Sequence, residues 1–347
     1  MRKFIYKLFF LGFVLMFSFG IYFYQSFTFD TFNVFHWKNI RFTSAEPNKN
    51  FIKTKYILAN PKKFDAFILG SSRVYNIPAN FLPKEFHWYN MTHSEGIPVE
   101  HIATLNTFSN ADIDIKMILF AFDNIEMYSS VQYHENQLLR MPYQVYERNS
   151  LSFYIPYLKN KTDYSIIKEI KKYDSTLYIE AADEFYDYGG CLKGDFSLTE
   201  NLNMERFQSG HGGQNYSQKK APNDIAEIAN FCKEHKIKLF LITNPIYEST
   251  YKDAVDHGYF DFLSAVAQNC EFYNFSTLNN YTRNPAYYYE SSHYRPALGL
   301  LVEKMLFGSE DEKSQIRKDA DDEFWGIKVN AENIEQVISH LKAQLRE

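Results

Sequence analysis

The chain has 347 residues, a formal net charge of −5 and 45% hydrophobic residues. That apolar content is enough for a sizeable core in one domain or two, and it excludes a largely disordered chain. The acidic balance, with no basic run interleaved with aromatics, excludes a general nucleic-acid binder.

The amino terminus carries the strongest signal. No charged residue occurs between Leu8 and Phe29, and Arg2, Lys3 and Lys7 precede this stretch. Such a run is long enough to cross a bilayer core of roughly 30 Å as a helix. The positive-inside rule then keeps the amino terminus in the cytoplasm and predicts a single-pass membrane protein whose domain beyond about Asp30 is extracytoplasmic. A cleaved signal peptide is the rival reading, but the apolar core is long and no small-x-small site follows it cleanly. An anchor over residues 1–29 is therefore expected, followed by a linker and lead-in helix over 30–60, with the helix at about 51–58.

Phe64 to Arg73, FDAFILGSSR, follows the linker. A short continuous apolar run bounded by a turn residue reads as a buried parallel strand, here 64–69, which places Ser71 and Ser72 where the strand meets solvent. A second strand is predicted at 87–91, before the polar loop Thr92-His93-Ser94-Glu95-Gly96, and Pro98 suits the first turn of a helix to about 108. Residues 116–122, KMILFAF, give a third strand that stops at Asp123-Asn124.

From about 125 to 221 the pattern changes to Tyr, Lys, Glu and Asn, without regular periodicity. This segment reads as an insertion or cap. Its Gly210-His211-Gly212-Gly213 looks like the loops that form oxyanion holes in lipases, but no strand precedes it and it reads as an ordinary loop. Alternation resumes with a helix at 222–235, a strand at 237–243, a helix at 251–268, a strand at 271–275 and a helix at 296–308. Strands alternating with helices predict an α/β fold with a mostly parallel five-stranded sheet covered on both faces, over residues 61–308. The charged segment 309–347, with an amphipathic helix near 331–345, is expected to pack on the rim or project.

Cys191, Cys232 and Cys270 are odd in number and widely spaced, so they indicate neither a zinc site nor a closed disulfide framework; one pair could still bridge in an oxidising compartment. His93, His134 and His211 read as surface or satisfied residues, and no metal or cofactor is expected. The abundance of Phe and Tyr, 32 and 27 residues, suits a core rich in β structure or a carbohydrate-facing surface, although codon bias gives the same counts.

One set of residues carries chemistry. A serine hydroxyl needs a base to take its proton, and the base needs a carboxylate to fix its tautomer. Ser72 is the candidate nucleophile, His293 the base and Glu290 the orienter, with Asp123 as a substitute orienter. The Ser72 N–H, the Gly96 N–H and the Asn124 side-chain amide are candidate oxyanion donors if the strand ends adjoin. Arg73 and Arg295 flank the site as candidates for binding an anionic substrate, with salt bridging inside the fold as the alternative for each.

Gly70-Ser71-Ser72, Gly96, Asn124 and Glu290-Ser291-Ser292-His293 together resemble the four blocks of the SGNH, or GDSL-like, hydrolase superfamily. The resemblance implies a three-layer SGNH-like (flavodoxin-like) fold, with Ser72 as nucleophile and Ser71 in place of the usual aspartate. Glu290 departs from the usual Asp. The Gly-Ser-Ser block, the anchor and the Ser-Ser-His-Tyr-Arg-Pro run resemble a membrane-tethered branch that includes accessory proteins of teichoic-acid D-alanylation and alginate O-acetylation. That branch implies an O-acyltransferase or esterase acting on a cell-surface polysaccharide or glycolipid, beside a membrane-bound O-acyltransferase. The alternative is a glycan-binding or assembly protein that kept the fold and lost the chemistry. A nucleotide-binding Rossmann domain is disfavoured because the remaining glycines of that motif are missing.

Overall fold

The structure, a computed structural model, describes residues 2–40, 45–79, 81–160, 184–191, 196–199, 203–208, 217 and 219–346. The chain falls into two compact units, one comprising 1–56 and 134–183 and the other 57–133 and 184–347.

The first unit contains α1 (Arg2–Phe29), which is long and apolar enough to cross a membrane. Most of α2 (Lys49–Ala59) follows, then α5 (Tyr143–Arg148) and α6 (Ser150–Lys159), after the short α4 (Val131–Glu135). Its core is aromatic. The Phe51 ring lies 4.4 Å from that of Phe153 and 5.9 Å from that of Tyr143. Tyr143 and Phe153 fall in the stretch without readable periodicity, because stacked rings from separate short helices leave no repeat in the sequence.

The second unit is built on one sheet. Its strands are β1 (Ala66–Leu69), β2 (Trp88–Asn90), β3 (Met117–Phe122), β4 (Lys238–Thr243), β5 (Phe272–Asn274) and β6 (Ile327–Val329), in the order β2-β1-β3-β4-β5-β6. The first five are parallel, and β6 runs antiparallel on the edge. The sheet therefore has six strands and is mixed, where five were expected. The sixth comes from the charged carboxyl segment; Ile327-Lys328-Val329 is too short, and too interrupted by lysine, to stand out as a strand.

Alternation along the central strands assigns the two faces. Ala66, Ile68, Met117, Leu119 and Ala121 pack with Leu298, Val302 and Met305 of α10 (Pro296–Phe307). On the opposite face Phe67 meets Phe108 of α3 (Pro98–Asn110), and Phe122 meets Phe262. α7 (Ala221–Glu234) packs beside α3 on that face. The single helix expected over 251–268 is two, α8 (Glu248–Asp256) and α9 (Tyr259–Asn269), separated at His257 and Gly258. The carboxyl segment is integral to the unit, with α11 (Glu310–Ala320) packed on α10 and α12 (Ile334–Gln344) on α9.

β1 pairs with β2 on one side and β3 on the other, so the chain reverses its direction of travel across the sheet between β1 and β3. Such a switch point leaves a crevice at the carboxyl ends of the two strands, where ligands bind in open α/β sheets. Ser72 follows β1, and Asn124 follows β3. The three cysteines are free thiols, Cys232 being buried.

Glu303 of α10 is fully buried, and neither carboxyl oxygen has a hydrogen-bond partner of good geometry. Burial pushes this group up to about 9, with the Phe81 backbone opposing. Between the ordinary glutamate value and about 9, the folded protein holds a proton that the unfolded chain releases. Stability from this site therefore falls as pH rises through that window, by at most about 1.4 kcal/mol per pH unit. Glu303→Gln is expected to be more stable than wild type at pH 8, with the gap closing toward pH 5, as read from urea midpoints at the two pH values.

Candidate active site

Ser72 opens a short 3-10 turn, Ser72–Asn76, just beyond β1. Gly70 makes this exit. Its φ of 138° is one that side-chain-bearing residues rarely adopt, and a Cβ there would stand 2.5 Å from the Ala121 carbonyl oxygen. Ser71 is buried and caps the turn by accepting the Arg73 N–H, whereas Ser72 is half-buried.

Glu290 and His293 sit on a tight loop before α10. The Tyr289 N–H donates to the His293 carbonyl at 2.9 Å and the Arg295 N–H to the Tyr287 carbonyl at 2.7 Å, so the loop closes as a small hairpin. The Asn76 amide donates to the Tyr294 carbonyl at 2.8 Å and ties this hairpin to the turn that carries Ser72. Gly299 allows α10 to approach so closely; a Cβ at that position would lie 2.3 Å from the Asn76 carbonyl oxygen.

The outcome is a continuous relay. Ser72 Oγ lies 2.8 Å from His293 Nε2, and His293 Nδ1 lies 2.5 Å from Glu290 Oε1. The second Glu290 oxygen accepts the Ser292 N–H at 2.8 Å. A carboxylate at Nδ1 holds the proton on that nitrogen and leaves Nε2 free to accept the serine proton. The extra methylene of glutamate is thus accommodated. Burial by itself would raise the Glu290 carboxyl; the His293 hydrogen bond and charge, the Ser292 N–H and Arg73 outweigh it and hold the group below the ordinary glutamate value.

Of the two roles expected for Arg73, binding an anionic substrate or salt bridging inside the fold, the structure shows the second: the side chain is turned inward and is 1% exposed. Its Nη1 donates to Asp123 Oδ1 at 2.5 Å and to Asn124 Oδ1 at 2.7 Å. Asp123 also accepts from the Asn244 amide at 2.8 Å and from the Ile125 N–H at 2.9 Å. It is therefore committed to this buried network, and Glu290 orients the imidazole. Because Asn124 presents its oxygen to Arg73, its Nδ2 is left as a buried donor with no partner. The Ser72 N–H, at the first position of its turn, has no intrahelical acceptor.

Gly96 packs against the Gly70 carbonyl, 2.6 Å from where its Cβ would be, and its N–H donates to the His93 carbonyl at 3.1 Å. The Gly96 N–H is thus part of its own turn. The Arg295 guanidinium lies 4.3 Å from the Tyr289 ring centroid, and its Nε donates to the Tyr288 carbonyl at 3.0 Å. Arg295 is half-buried and belongs to the same hairpin as His293.

Sequence reasoning missed a buried cluster beneath the serine loop. His101 Nε2 accepts the Gly70 N–H at 3.1 Å, and His93 Nε2 lies 3.1 Å from Glu100 Oε2. The available signal was three polar residues, Glu100, His101 and Thr104, on the inward face of α3. Asn244, at the exit of β4, was likewise visible only as a polar strand end. His134 is fully buried, while Gly210, His211, Gly212 and Gly213 lie outside the described residues. Among the described residues, no group of three or more His, Cys, Asp or Glu is placed to hold a metal ion. Compared with protein-family models and with curated proteins, the chain matches nothing.

Removing one partner of a buried ion pair strands the other charge, at a cost of about 3–5 kcal/mol. Arg73→Met is expected to lower the unfolding free energy read from urea titration by that order, and Arg73→Met combined with Asp123→Asn to recover part of the loss. Simple addition of the two single effects would show that the pair is not coupled.

Proposed function

We propose that this protein is an extracytoplasmic serine O-acyltransferase or esterase of the SGNH type, acting on acyl groups of a cell-surface polysaccharide or glycolipid. The observation that carries this reading is the relay from Ser72 through His293 to Glu290 at the crevice between β1 and β3. The sheet order, the positions of Ser72, Gly96 and Asn124 beyond the first three strands, and that of the Glu290–His293 block before α10 support the SGNH assignment. The helix α1 supports a tether that holds the domain beside the membrane on its outer side, where a membrane-bound O-acyltransferase would supply or accept the acyl group.

In the first half-reaction Ser72 Oγ attacks the acyl carbonyl carbon while His293 Nε2 takes the hydroxyl proton. The tetrahedral oxyanion is received by Asn124 Nδ2, a buried donor with no hydrogen-bond partner among the described residues, together with the Ser72 N–H. Collapse expels the donor alcohol, which takes the proton from His293, and leaves an ester on Ser72. In the second half-reaction His293 removes a proton from the incoming hydroxyl, of water or of a sugar, and that oxygen displaces Ser72. Glu290 stabilises the imidazolium in both halves. Arg295 shares the hairpin with His293 and is the candidate partner for an anionic group of the glycan.

A fluorophosphonate probe is expected to label the wild-type protein on Ser72, and Ser72→Ala and His293→Ala to abolish labelling. Glu290→Gln is expected to slow labelling by about 10²- to 10⁴-fold. A folded wild-type protein that takes no label would favour the glycan-binding or assembly reading over catalysis.

A further inference from the structure

In the first unit, α6 is amphipathic in an unusual sense. One face is buried in the aromatic core: Phe153 is fully buried, its ring 4.4 Å from that of Phe51, and the Tyr157 ring lies 5.8 Å from that of Phe32. Leu151, Ile155 and Leu158, at the i, i+4, i+7 spacing of a single stripe, point the other way. Leu151 is 69% exposed, Ile155 is 41% exposed and Leu158 is half-buried. An apolar stripe left bare on a helix that already has a core-facing side calls for a second apolar environment.

The position of α6 identifies that environment. The Tyr22 hydroxyl donates to the Lys159 carbonyl at 2.5 Å, and the Ser26 hydroxyl donates to the Asn160 carbonyl at 3.2 Å, so the carboxyl end of α6 is fastened to α1. A ladder of rings, Phe27 to Phe35 at 5.2 Å and Phe35 to Tyr154 at 5.3 Å, makes a second tie. Counted from Lys7, the last charge before the apolar run, Tyr22 and Ser26 lie about 22 and 28 Å along the helix axis. A hydrocarbon core of roughly 30 Å ends at that level. The exposed stripe therefore lies on a helix fastened to α1 at the level where a bilayer core would end.

We propose that α6 is a second membrane contact, with Leu151, Ile155 and Leu158 seated in the boundary between acyl chains and headgroups of the leaflet opposite Arg2, Lys3 and Lys7. The ligand is the lipid surface itself. The proposal rests on the reading of α1 as a membrane-spanning tether. It makes the first unit a rigid foot whose orientation to the bilayer is set by two elements, so that α1 does not act as a free swivel. Interfacial helices of this kind bury their apolar face about 5–10 Å below the headgroup level.

The test uses the full chain, with Cys191, Cys232 and Cys270 replaced by Ser or Ala and an environment-sensitive dye on Ile155→Cys. The protein is reconstituted in vesicles of phosphatidylcholine and phosphatidylglycerol. Ile155 is already exposed, so this substitution leaves the core intact, and Leu151→Cys gives an independent reading. Lipid carrying a spin label at a shallow acyl position is expected to lower emission at least about twofold, while aqueous iodide has little effect. A dye quenched by iodide and indifferent to the labelled lipid overturns the proposal, as does a dye that neither quencher reaches, which would place a second copy or another protein on the stripe. Release of the chain from the vesicles by alkaline carbonate overturns the tether, and this proposal with it; retention combined with iodide quenching overturns the proposal alone.

Discussion

A single hydrogen bond between Ser72 Oγ and His293 Nε2 joins residues 221 positions apart, and the functional account depends on the packing that makes it short. That packing is a contact of two backbones. The turn after β1 and the first turns of α10 approach within a distance that only glycine at position 299 permits, and the Asn76 amide fixes the hairpin above them. Glu290 and Ser292 act within the hairpin itself, so the imidazole arrives already oriented. The geometry of Ser72, His293 and Glu290 is thus set by two pieces meeting, and the sheet fixes where each piece starts.

Beneath the relay lies a polar layer that organises the strand exits. Arg73 binds Asp123 and Asn124 together, and Asn244 adds a hydrogen bond from the end of β4 to Asp123, so the ends of three parallel strands are cross-linked through one buried carboxylate. Burial and the neighbouring Asp123 push Glu126 well above the ordinary carboxyl value, which favours a protonated acid there and limits the negative charge the layer must hold. On the other side of the serine loop, His101 supports the Gly70 N–H. A residue beside a candidate nucleophile invites the expectation that it binds substrate; here its charge instead orients an asparagine amide.

What the sequence reveals about this molecule follows from the range of each interaction. β1 and β3 are legible because strands buried on both faces become uninterrupted apolar runs, and β4 because its run Leu239 to Ile242 is apolar throughout; polar residues follow each run at the crevice. Ser72, Glu290 and His293 are legible because their residue types carry a chemical requirement that few other combinations meet. Arg73 is not, since the choice between binding a ligand and pairing with Asp123 is made by a contact fifty positions away in the chain. β6 is hidden because an edge strand of three residues with a central lysine owes its structure to its neighbour β5. α5 and α6 of the first unit are hidden because their order comes from ring-to-ring packing between segments, with no periodic pattern inside either of them.

The most direct test of the central claim is the protonation pattern of one ring. Nitrogen NMR of protein labelled at histidine, with His293→Ala to assign the signal, reports which imidazole nitrogen carries the proton. The account predicts the Nδ1–H tautomer for His293 near neutral pH, with its Nε2 resonance shifted by Ser72→Ala and its Nδ1 resonance shifted by Glu290→Gln. An Nε2–H tautomer, or a ring whose signals ignore both substitutions, would contradict it.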